Sequence, residues 1–271
     1  MLRYRPTHRT PRVTRGRVIA LTVGAAGLSV LLVAGLVLSA IHVVHRPWSR
    51  PETTSSARNS RVSAEVERAR DELAARAMPD TGTGHEFGWP QLSTRDPGPA
   101  IQLPPARGVD GLGVALGFPQ TPQGALAQLA AIEAAALESR SLPGVRAVIR
   151  AWGAPGGPTT RSWSGITAMT SLLGSARLPA TGSPHLSITV TPAMGLVKGR
   201  IGDDFVVACV DLSVDITYGA TTTTVSADCQ RMLWQGDRWL IGPGAEPAPV
   251  PQVWPGTDAA INSGFRDLVL N

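Results

Sequence analysis

The sequence predicts an α+β fold behind a single N-terminal transmembrane helix. An apolar run without Asp, Glu, Lys or Arg covers residues 18–44, longer than the roughly 20 residues that a helix needs to cross a bilayer. Further along, apolar residues recur with helical spacing between residues 121 and 176, and their period changes to two after Pro184. This order of helices and strands is typical of helices packed on one face of a curved antiparallel sheet.

The charge distribution predicts how the chain crosses the membrane. Six of the 25 basic side chains precede the apolar run without any acid, which leaves 19 basic and 20 acidic side chains elsewhere. Because cytoplasmic flanks carry the arginine excess, we expect a cytoplasmic tail at 1–17, one span of the cell membrane at 18–45 and an extracytoplasmic remainder. The high pI therefore belongs to the tail, and direct nucleic-acid binding is not expected. The topology determinants are Arg12, Arg15, Arg17 and, at the outer interface, Trp48.

A cleaved signal peptide is the alternative interpretation of this N-terminus, because it shares the basic start and the apolar middle. Its apolar region normally covers only about 7–15 residues and ends in a small-x-small cleavage site. Leu38-Ser39-Ala40 matches such a site poorly, so the sequence favours an uncleaved anchor.

Residues 46–115 are predicted to contain a juxtamembrane helix and a Pro/Gly-rich linker. Helix formers dominate residues 60–78, and prolines and glycines crowd residues 79–120, which predicts irregular structure there. The apolar residues of the helix form a narrow stripe that suits self-association as a short coiled coil and equally suits packing on the chain's own domain. This stripe consists of Val62, Val66, Ala69 and Leu73.

Three helices open the predicted domain at residues 116–245. Thr121 is a good N-cap residue and Pro122 suits the first helical position, and the Ala- and Leu-rich run behind them should be buried along most of its length. Residues 142–152 predict a second helix, and residues 162–176 a third.

About four antiparallel strands follow the helices. In the second strand, apolar residues alternate with polar ones, which predicts that it is half-buried. Gly219-Ala220 supplies the hairpin turn, and the Pro-rich residues 246–271 are expected to lie over the domain as a C-terminal strap. The predicted strands are residues 185–191, 205–217, 221–234 and 238–241.

The two cysteines, Cys209 and Cys229, lie on the two strands of the predicted hairpin, in a compartment where disulfides persist. They are equally distant from residue 219 in the turn, which favours a cross-strand bridge. A two-residue Gly219-Ala220 turn, however, pairs Val206 with Leu233 and places the cysteines on opposite faces. A bulge or a longer turn would be needed for the bridge, so a disulfide and two buried thiols remain alternatives.

No catalytic motif stands out. The chain contains no Gly-x-Ser-x-Gly, no phosphate-binding Gly-x-x-x-x-Gly-Lys and no His-Glu-x-x-His, and we expect no catalytic, cofactor-binding or metal-binding residues. His85 and His185 lack motif partners, and Asp203-Asp204 fits a turn between strands better than a cation site. Two carboxylates on the polar face of the hairpin would be candidates for acid–base chemistry only if a helix covered that face. The carboxylates concerned are Asp211, Asp215 and Asp228.

The whole plan resembles that of bitopic components of conjugative and type IV secretion machines: a basic tail, one span, a membrane-proximal helix, three helices and a meander ending in Trp234-Gln-Gly-Asp-Arg-Trp239. The segments GFPQTPQGALAQLAAIEAA at 117–135 and VWPGTDAAINSGFRDL at 253–268 are similar to parts of single-span proteins of actinobacterial integrative conjugative elements. This resemblance implies an extracytoplasmic domain of the nuclear-transport-factor-2-like (NTF2-like, or cystatin-like) fold.

The resemblance implies a non-enzymatic scaffold in which the span anchors the chain and the domain forms homo-oligomers or docks other channel components. Because NTF2-like domains also host ligand pockets and enzymes, the alternative is a ligand-binding or enzymatic domain of the cell envelope. Polar residues converging between helices and sheet would favour that alternative, and an apolar, filled interior would favour the scaffold. An accessory role in cell-wall assembly or secretion is a third hypothesis.

Overall fold

A computed structural model describes residues 53–79 and 90–270 and confirms an α+β fold with a curled, mainly antiparallel sheet. Within these ranges, no helix combines the length and apolar character that crossing a bilayer requires. The predicted tail and span, with Arg12, Arg15, Arg17 and Trp48, lie outside the described residues, as does His85.

Eight strands lie in the described part of the chain, and six of them form one sheet. The strands are β1 (Ile101–Leu103), β2 (Gly108–Val109), β3 (Ala115–Leu116), β4 (Ser187–Ile201), β5 (Phe205–Tyr218), β6 (Ala220–Gln235), β7 (Arg238–Ile241) and β8 (Arg266–Leu270). The main sheet has the order β1-β8-β4-β5-β6-β7, in which only the β1–β8 pair is parallel, and β2 pairs with β3 separately. The predicted four-stranded meander is therefore the central part of a wider sheet.

The three predicted domain helices are present, and two further helices flank them in the sequence. The helices are α1 (Thr53–Ala75), α2 (Pro122–Glu138), α3 (Leu142–Trp152), α4 (Ser164–Ser175) and α5 (Asp258–Asn262). As expected from the sequence, Thr121 caps α2: its hydroxyl oxygen accepts a hydrogen bond from the Gly124 backbone N–H at 3.0 Å, and Pro122 begins the helix.

The main core lies between α2–α4 and one face of the sheet. Leu126, Leu129 and Ile132 of α2 are fully buried, and they pack in one cluster with the β5 residues Val206 and Val210. A Cβ atom on Gly195 of β4 would lie 2.9 Å from a methyl carbon of Leu126, so the glycine leaves room for this side chain where α2 packs on the sheet. Helices thus cover one sheet face, as the sequence predicts.

The opposite sheet face is covered as well, which the sequence analysis did not anticipate. β5 was expected to be half-buried, but all of residues 205–212 are buried. Leu73 and Ala74 of α1 cover Phe205 and Val207, while the C-terminal residues Val253, Ala260 and Phe265 cover Cys209. The prediction of a half-buried strand is therefore wrong for its first eight residues, because segments distant in sequence lie over its outer face.

The four residues of α1 predicted as a possible self-association stripe differ in burial, since one end of the stripe packs on the domain and the other is exposed. Leu73 is buried against β4 and β5, whereas Val62 is 54% exposed and Val66 and Ala69 are half-buried. A Cβ atom on Gly199 would lie 2.8 Å from a Leu73 methyl carbon, which shows how closely the helix and strand meet. Leu73 is thus not available for pairing with a second copy, and the structure supports packing on the chain's own domain at this end of the stripe.

Charged contacts also tie α1 to the sheet. Arg70 forms an ion pair with Asp204, and Arg231 forms one with Asp71 at 2.7 Å. Both guanidinium groups lie over the ring of Phe205, at 4.9 Å and 5.2 Å from its centre. Because these partners contact residues 70–74, the C-terminal part of α1 belongs to the domain.

The only lysine of the chain holds the C-terminal end of α1. The Lys198 ammonium donates hydrogen bonds to the backbone carbonyl oxygens of Ala74, at 3.2 Å, and of Arg76. Burial lowers the pKa of this ammonium group. A cation is favoured at this position because the carbonyl groups at the end of a helix lack intrahelical partners.

The β5–β6 hairpin has a register one residue away from the predicted one. Phe205 rather than Val206 lies opposite Leu233, and the strands meet at Gly219, whose φ of +77° favours glycine. The expected two-residue turn is therefore wrong. In the observed register Cys209 lies directly opposite Cys229, with 4.0 Å between their Cα atoms, and a disulfide joins them.

The domain extends beyond the predicted residues 116–245 on both sides. Strands β1–β3 lie inside the segment 79–120 that was expected to be irregular, and the predicted strap contains α5 and β8. β8 joins the main sheet between β1 and β4. One compact unit thus runs from Arg61 to Asn271.

Candidate functional site

An open groove runs between α4 and the β5–β6 hairpin. It consists of two adjoining cavities of about 580 Å³ and 660 Å³, which share the lining residues Ala168, Ser171, Ser226 and Gln252. The first cavity has a largely apolar wall that includes Leu137, Leu172, Val214 and Ile216. The second reaches the start of α4 and three carboxyl side chains, Glu133, Asp228 and Glu246.

Local sequence explains why α4 begins beside these carboxyl groups. Its N-cap residue Trp163 has no side chain that can accept a hydrogen bond from the first turn. Glu246 takes over this role, because its carboxylate accepts a hydrogen bond from the Ser164 backbone N–H at 2.7 Å. An acidic side chain at the positive end of a helix is favourable, so Glu246 has a structural function at this position.

Asp228 of β6 is the centre of the polar network. Its Oδ2 atom accepts hydrogen bonds from the Ser164 hydroxyl at 2.8 Å and from the Gln230 side-chain amide at 2.7 Å. The same amide group also donates to the Ser164 hydroxyl oxygen at 2.9 Å. Gln230 is fully buried, whereas Asp228 is only half-buried and lines the groove. The network therefore holds one carboxylate at the groove wall.

Glu133 of α2 shares a hydrogen bond with Asp228. It is 4% exposed, although most of its neighbours on α2 are Ala, Leu and Ile. Burial and the nearby charge of Asp228 raise the pKa of Glu133 well above its usual range. Burial also raises the pKa of Asp228, but the hydrogen bonds that it accepts, including one from Glu133, partly offset this. Glu133 thus holds the shared proton and Asp228 accepts it.

One oxygen of Glu133 has no hydrogen-bond partner. Its Oε1 atom is buried and no group in the described residues donates to it, while Glu133 as a residue contributes to the lining of the second cavity. A buried polar atom without a partner costs about 1–3 kcal/mol. The arrangement therefore offers a ready acceptor for a donor group that enters the groove.

Burial raises the pKa of Glu246 as well, although the Ser164 N–H opposes this shift. The ion pairs between described residues involve other carboxylates, Glu67, Asp71, Asp203 and Asp204. The charge of the groove carboxylates is thus offset by hydrogen bonds and the start of α4 rather than by an arginine or lysine. In the described part of the chain, no group of His, Cys, Asp or Glu residues has the geometry to hold a metal ion.

The observed register of the β5–β6 hairpin places the three candidate carboxylates on different faces of the sheet. Asp228 faces the helices, opposite Val210, whereas Asp211 and Asp215 lie on the other sheet face. Asp215 is exposed and accepts a hydrogen bond from Thr223. Asp211 is fully buried, and no group in the described part of the chain hydrogen-bonds to either of its carboxyl oxygens; burial raises its pKa to about 8.

The remaining candidates lie away from the groove. Asp203 and Asp204 occupy the predicted turn between β4 and β5, where Asp204 binds Arg70 and Asp203 binds Arg200. His185 is exposed in the segment before β4. Sequence reasoning missed Glu133, although a lone acid in the middle of a helix predicted to be buried is a visible signal.

Comparisons with known proteins add no relative. No family model matches the chain, and no curated protein or solved structure is significantly similar to it.

Proposed function

We propose that this chain is a non-enzymatic assembly component of a conjugative, type IV secretion-like DNA-transfer apparatus. Its N-terminal span anchors it in the cell membrane, and its extracytoplasmic domain has an NTF2-like fold, with which the three helices on a curled sheet are compatible. The domain docks other channel components or a second copy of the chain, and it does not bind nucleic acid directly.

The observation that supports this function most directly is the groove beside α4. It is open along its length and has both apolar and polar walls, the mixture that suits a segment of another protein. Aligned exposed side chains from α4 and β6, such as Ser171 and Thr222, lie along it. A partner segment in the groove would therefore contact both the helix and the hairpin.

Site-specific photocrosslinking in native membranes tests this function. A benzophenone amino acid at Ser171 should give a crosslinked product with a multi-span membrane protein or with a second copy of the chain. The matched control is Thr170, which is exposed on the same helix but does not line the groove. Equal or absent crosslinking at the two positions would contradict a docking role for the groove.

A second candidate function is an NTF2-like ligand-binding or enzymatic domain in the cell envelope. The observation that favours it is the convergence of Glu133, Asp228 and Gln230 between helices and sheet, where a filled apolar interior would have favoured a scaffold. A carboxyl group that holds a proton beside one that accepts it meets a basic requirement of general acid–base catalysis.

Two variants distinguish these functions in a DNA-transfer assay. Ser171→Trp fills the groove, and under the docking function it should abolish transfer, while Thr170→Trp should not. Glu133→Gln keeps the shape of the side chain and removes its acidity. If Glu133→Gln abolished transfer while the crosslinks at position 171 persisted, the enzymatic function would be favoured over the scaffold.

A further inference from the structure

The groove contains one polar atom that the protein leaves unused. The carboxylates Asp228 and Glu246 accept hydrogen bonds at the start of α4, which accounts for their position. Glu133 has no such role, because α2 passes this point in mid-helix and the Oε1 atom has no donor. An isosteric apolar side chain would avoid this cost, so the fold alone does not explain Glu133.

The charges around the unpartnered Oε1 atom of Glu133 indicate which kind of donor group would bind there. Two of the carboxyl groups in this region can carry a negative charge, and among the described residues no ion pair involves Glu133, Asp228 or Glu246. The guanidinium groups with ion-pair partners in the described chain lie elsewhere, on Arg70, Arg200 and Arg231. A positively charged donor would therefore supply both a hydrogen bond to the unpartnered oxygen and the ion pair that these carboxylates lack.

The apolar cavity next to the carboxyl groups indicates the rest of the ligand. Leu137, Leu172, Val214 and Ile216 line it, and it joins the polar cavity at Ala168 and Ser171. A molecule with one end at Glu133 would thus have apolar surface to cover along the groove. Burial of such surface would strengthen binding, because apolar surface is removed from water.

We infer that the groove binds an organic cation, in which an ammonium group donates hydrogen bonds to Glu133 and Asp228 and an apolar body packs against Leu137, Leu172 and Ile216. This inference rests on the proposed function, because it takes the groove to be a binding surface. Within the proposed apparatus, the cation is a lysine side chain of a docked partner segment, flanked by apolar residues. A metal ion is not the expected ligand, since the described residues form no metal-binding group.

Binding of small probes to the full-length protein tests the ligand class directly. Benzylammonium, benzyl alcohol and benzoate share a ring and differ in the charge of the attached group. Calorimetry should give at least about tenfold tighter binding of benzylammonium than of benzyl alcohol, and the weakest binding for benzoate. Equal binding of the three probes, or binding of none, would overturn the inference.

Matched variants assign the binding to the groove. Asp228→Asn should weaken benzylammonium binding by at least about tenfold, because it removes a charge without changing the size of the side chain. Glu133→Leu should have a similar effect, because it removes the oxygen that accepts the hydrogen bond from the ammonium group. The control is Asp215→Asn, which removes a carboxylate on the opposite, exposed sheet face and should leave binding unchanged. Unchanged binding in Glu133→Leu would overturn the site assignment.

A measurement on the unaltered protein keeps the test valid if these variants fail to fold. Hydrophobic carbodiimides react with protonated carboxyl groups in apolar surroundings, so Glu133 should be modified in the free protein. Benzylammonium should protect it, which peptide mass mapping detects. Modification that is insensitive to benzylammonium would contradict the inference.

The two proposals fail in different ways. If position 171 crosslinks a partner but benzylammonium does not bind, the docking function stands and the cationic ligand class is wrong. If benzylammonium binds at Glu133 but no partner is crosslinked, the site binds a free small-molecule cation and the docking function is wrong. A partner whose crosslink to position 171 is displaced by benzylammonium supports both.

Discussion

Glu133 and Asp211 are both buried carboxyl groups, but they lie on opposite faces of the same sheet and have different surroundings. Glu133 borders a groove and shares a proton with Asp228, whereas Asp211 is enclosed between Met194 of β4, Ala227 of β6 and the C-terminal segment. Neither oxygen of Asp211 has a hydrogen-bond partner among the described residues, so burial opposes ionisation of this group in the fold. We therefore expect Asp211 to affect stability and Glu133 to affect binding.

Asp211 should make the protein less stable as the pH rises. Its carboxyl group has an ordinary pKa of 3.8 and a pKa of about 8 in the fold, so between these values the folded chain binds the proton more strongly. The free energy of unfolding should fall across this window by up to about 1.4 kcal/mol per pH unit and level off above it. Asp211→Asn should remove this contribution, as chemical denaturation at pH 5, 7 and 9 would show.

Asp215→Asn is the control for this pH series, because Asp215 lies on the same strand with its side chain exposed. It should reproduce the pH dependence of the unaltered protein. If Asp211→Asn also reproduced it, the carboxyl group of Asp211 would have to be ionised in the fold, contrary to our expectation.

The candidate site was only partly predictable from single residues. The sequence marks Asp228 and Asp211 as carboxylates of a hairpin, and the predicted register would place them opposite each other. A shift of one residue places Asp228 opposite Val210 and Asp211 opposite Ala227, on different faces. The acid–base pair instead combines Asp228 with Glu133, a residue of α2 that becomes its neighbour only when the helix packs on the sheet.

The hairpin register depends on the turn at Gly219 and is fixed covalently by the bridge between Cys209 and Cys229. Removal of the bridge with Cys209→Ser and Cys229→Ser should lower the free energy of unfolding by about 3 kcal/mol, since the closed loop spans about 20 residues. Equilibrium denaturation measures this change, and reduction of the unaltered protein should give a similar loss. Peptide mapping without reductant should recover the two cysteines in one linked species; free thiols at both positions would contradict the bridge.

The contact between α1 and β4 can be tested with a double-mutant cycle. Leu73→Ala removes buried methyl groups and should cost about 2–5 kcal/mol. Gly199→Ala should also destabilise, because its Cβ atom would lie 2.8 Å from Leu73. Together the two changes should cost less than their sum, since the new methyl group occupies space that Leu73 vacates.

Val62→Ala is the control for this cycle. Val62 lies on the same helix but is 54% exposed, so its truncation should change stability by less than about 0.5 kcal/mol. Strict additivity of the Leu73 and Gly199 changes would contradict direct packing of α1 on β4.

Among the helices and strands, features that depend on adjacent residues were predicted correctly, whereas pairings between segments distant in sequence were not. Thr121 and Pro122 begin α2 as expected, because an N-cap is a property of a few adjacent residues. β1 has three residues and pairs in parallel with β8, far away in the chain. Neither strand is long enough to show an alternating pattern, and their pairing depends on how the whole domain closes.

At the scale of the whole molecule, the predicted topology rests on the arginines before the span. Replacing Arg12, Arg15 and Arg17 by glutamine should reduce the fraction of chains with a cytoplasmic N-terminus, because the positive flank is then weaker. C-terminal fusions to alkaline phosphatase and to green fluorescent protein report the two orientations. Replacement of the same residues by lysine keeps the charge and should keep the topology; inversion in the lysine variant would contradict a charge-based mechanism.

Lys198 gives this molecule an internal reporter. Apart from the N-terminus, its amino group is the only primary amine in the chain, and it is held by the carbonyl groups that end α1. Acylating reagents therefore have a single side-chain target, which becomes fully reactive only when the end of the helix separates from the sheet. The rate of acylation at this one atom would thus time the opening of α1 without any introduced probe.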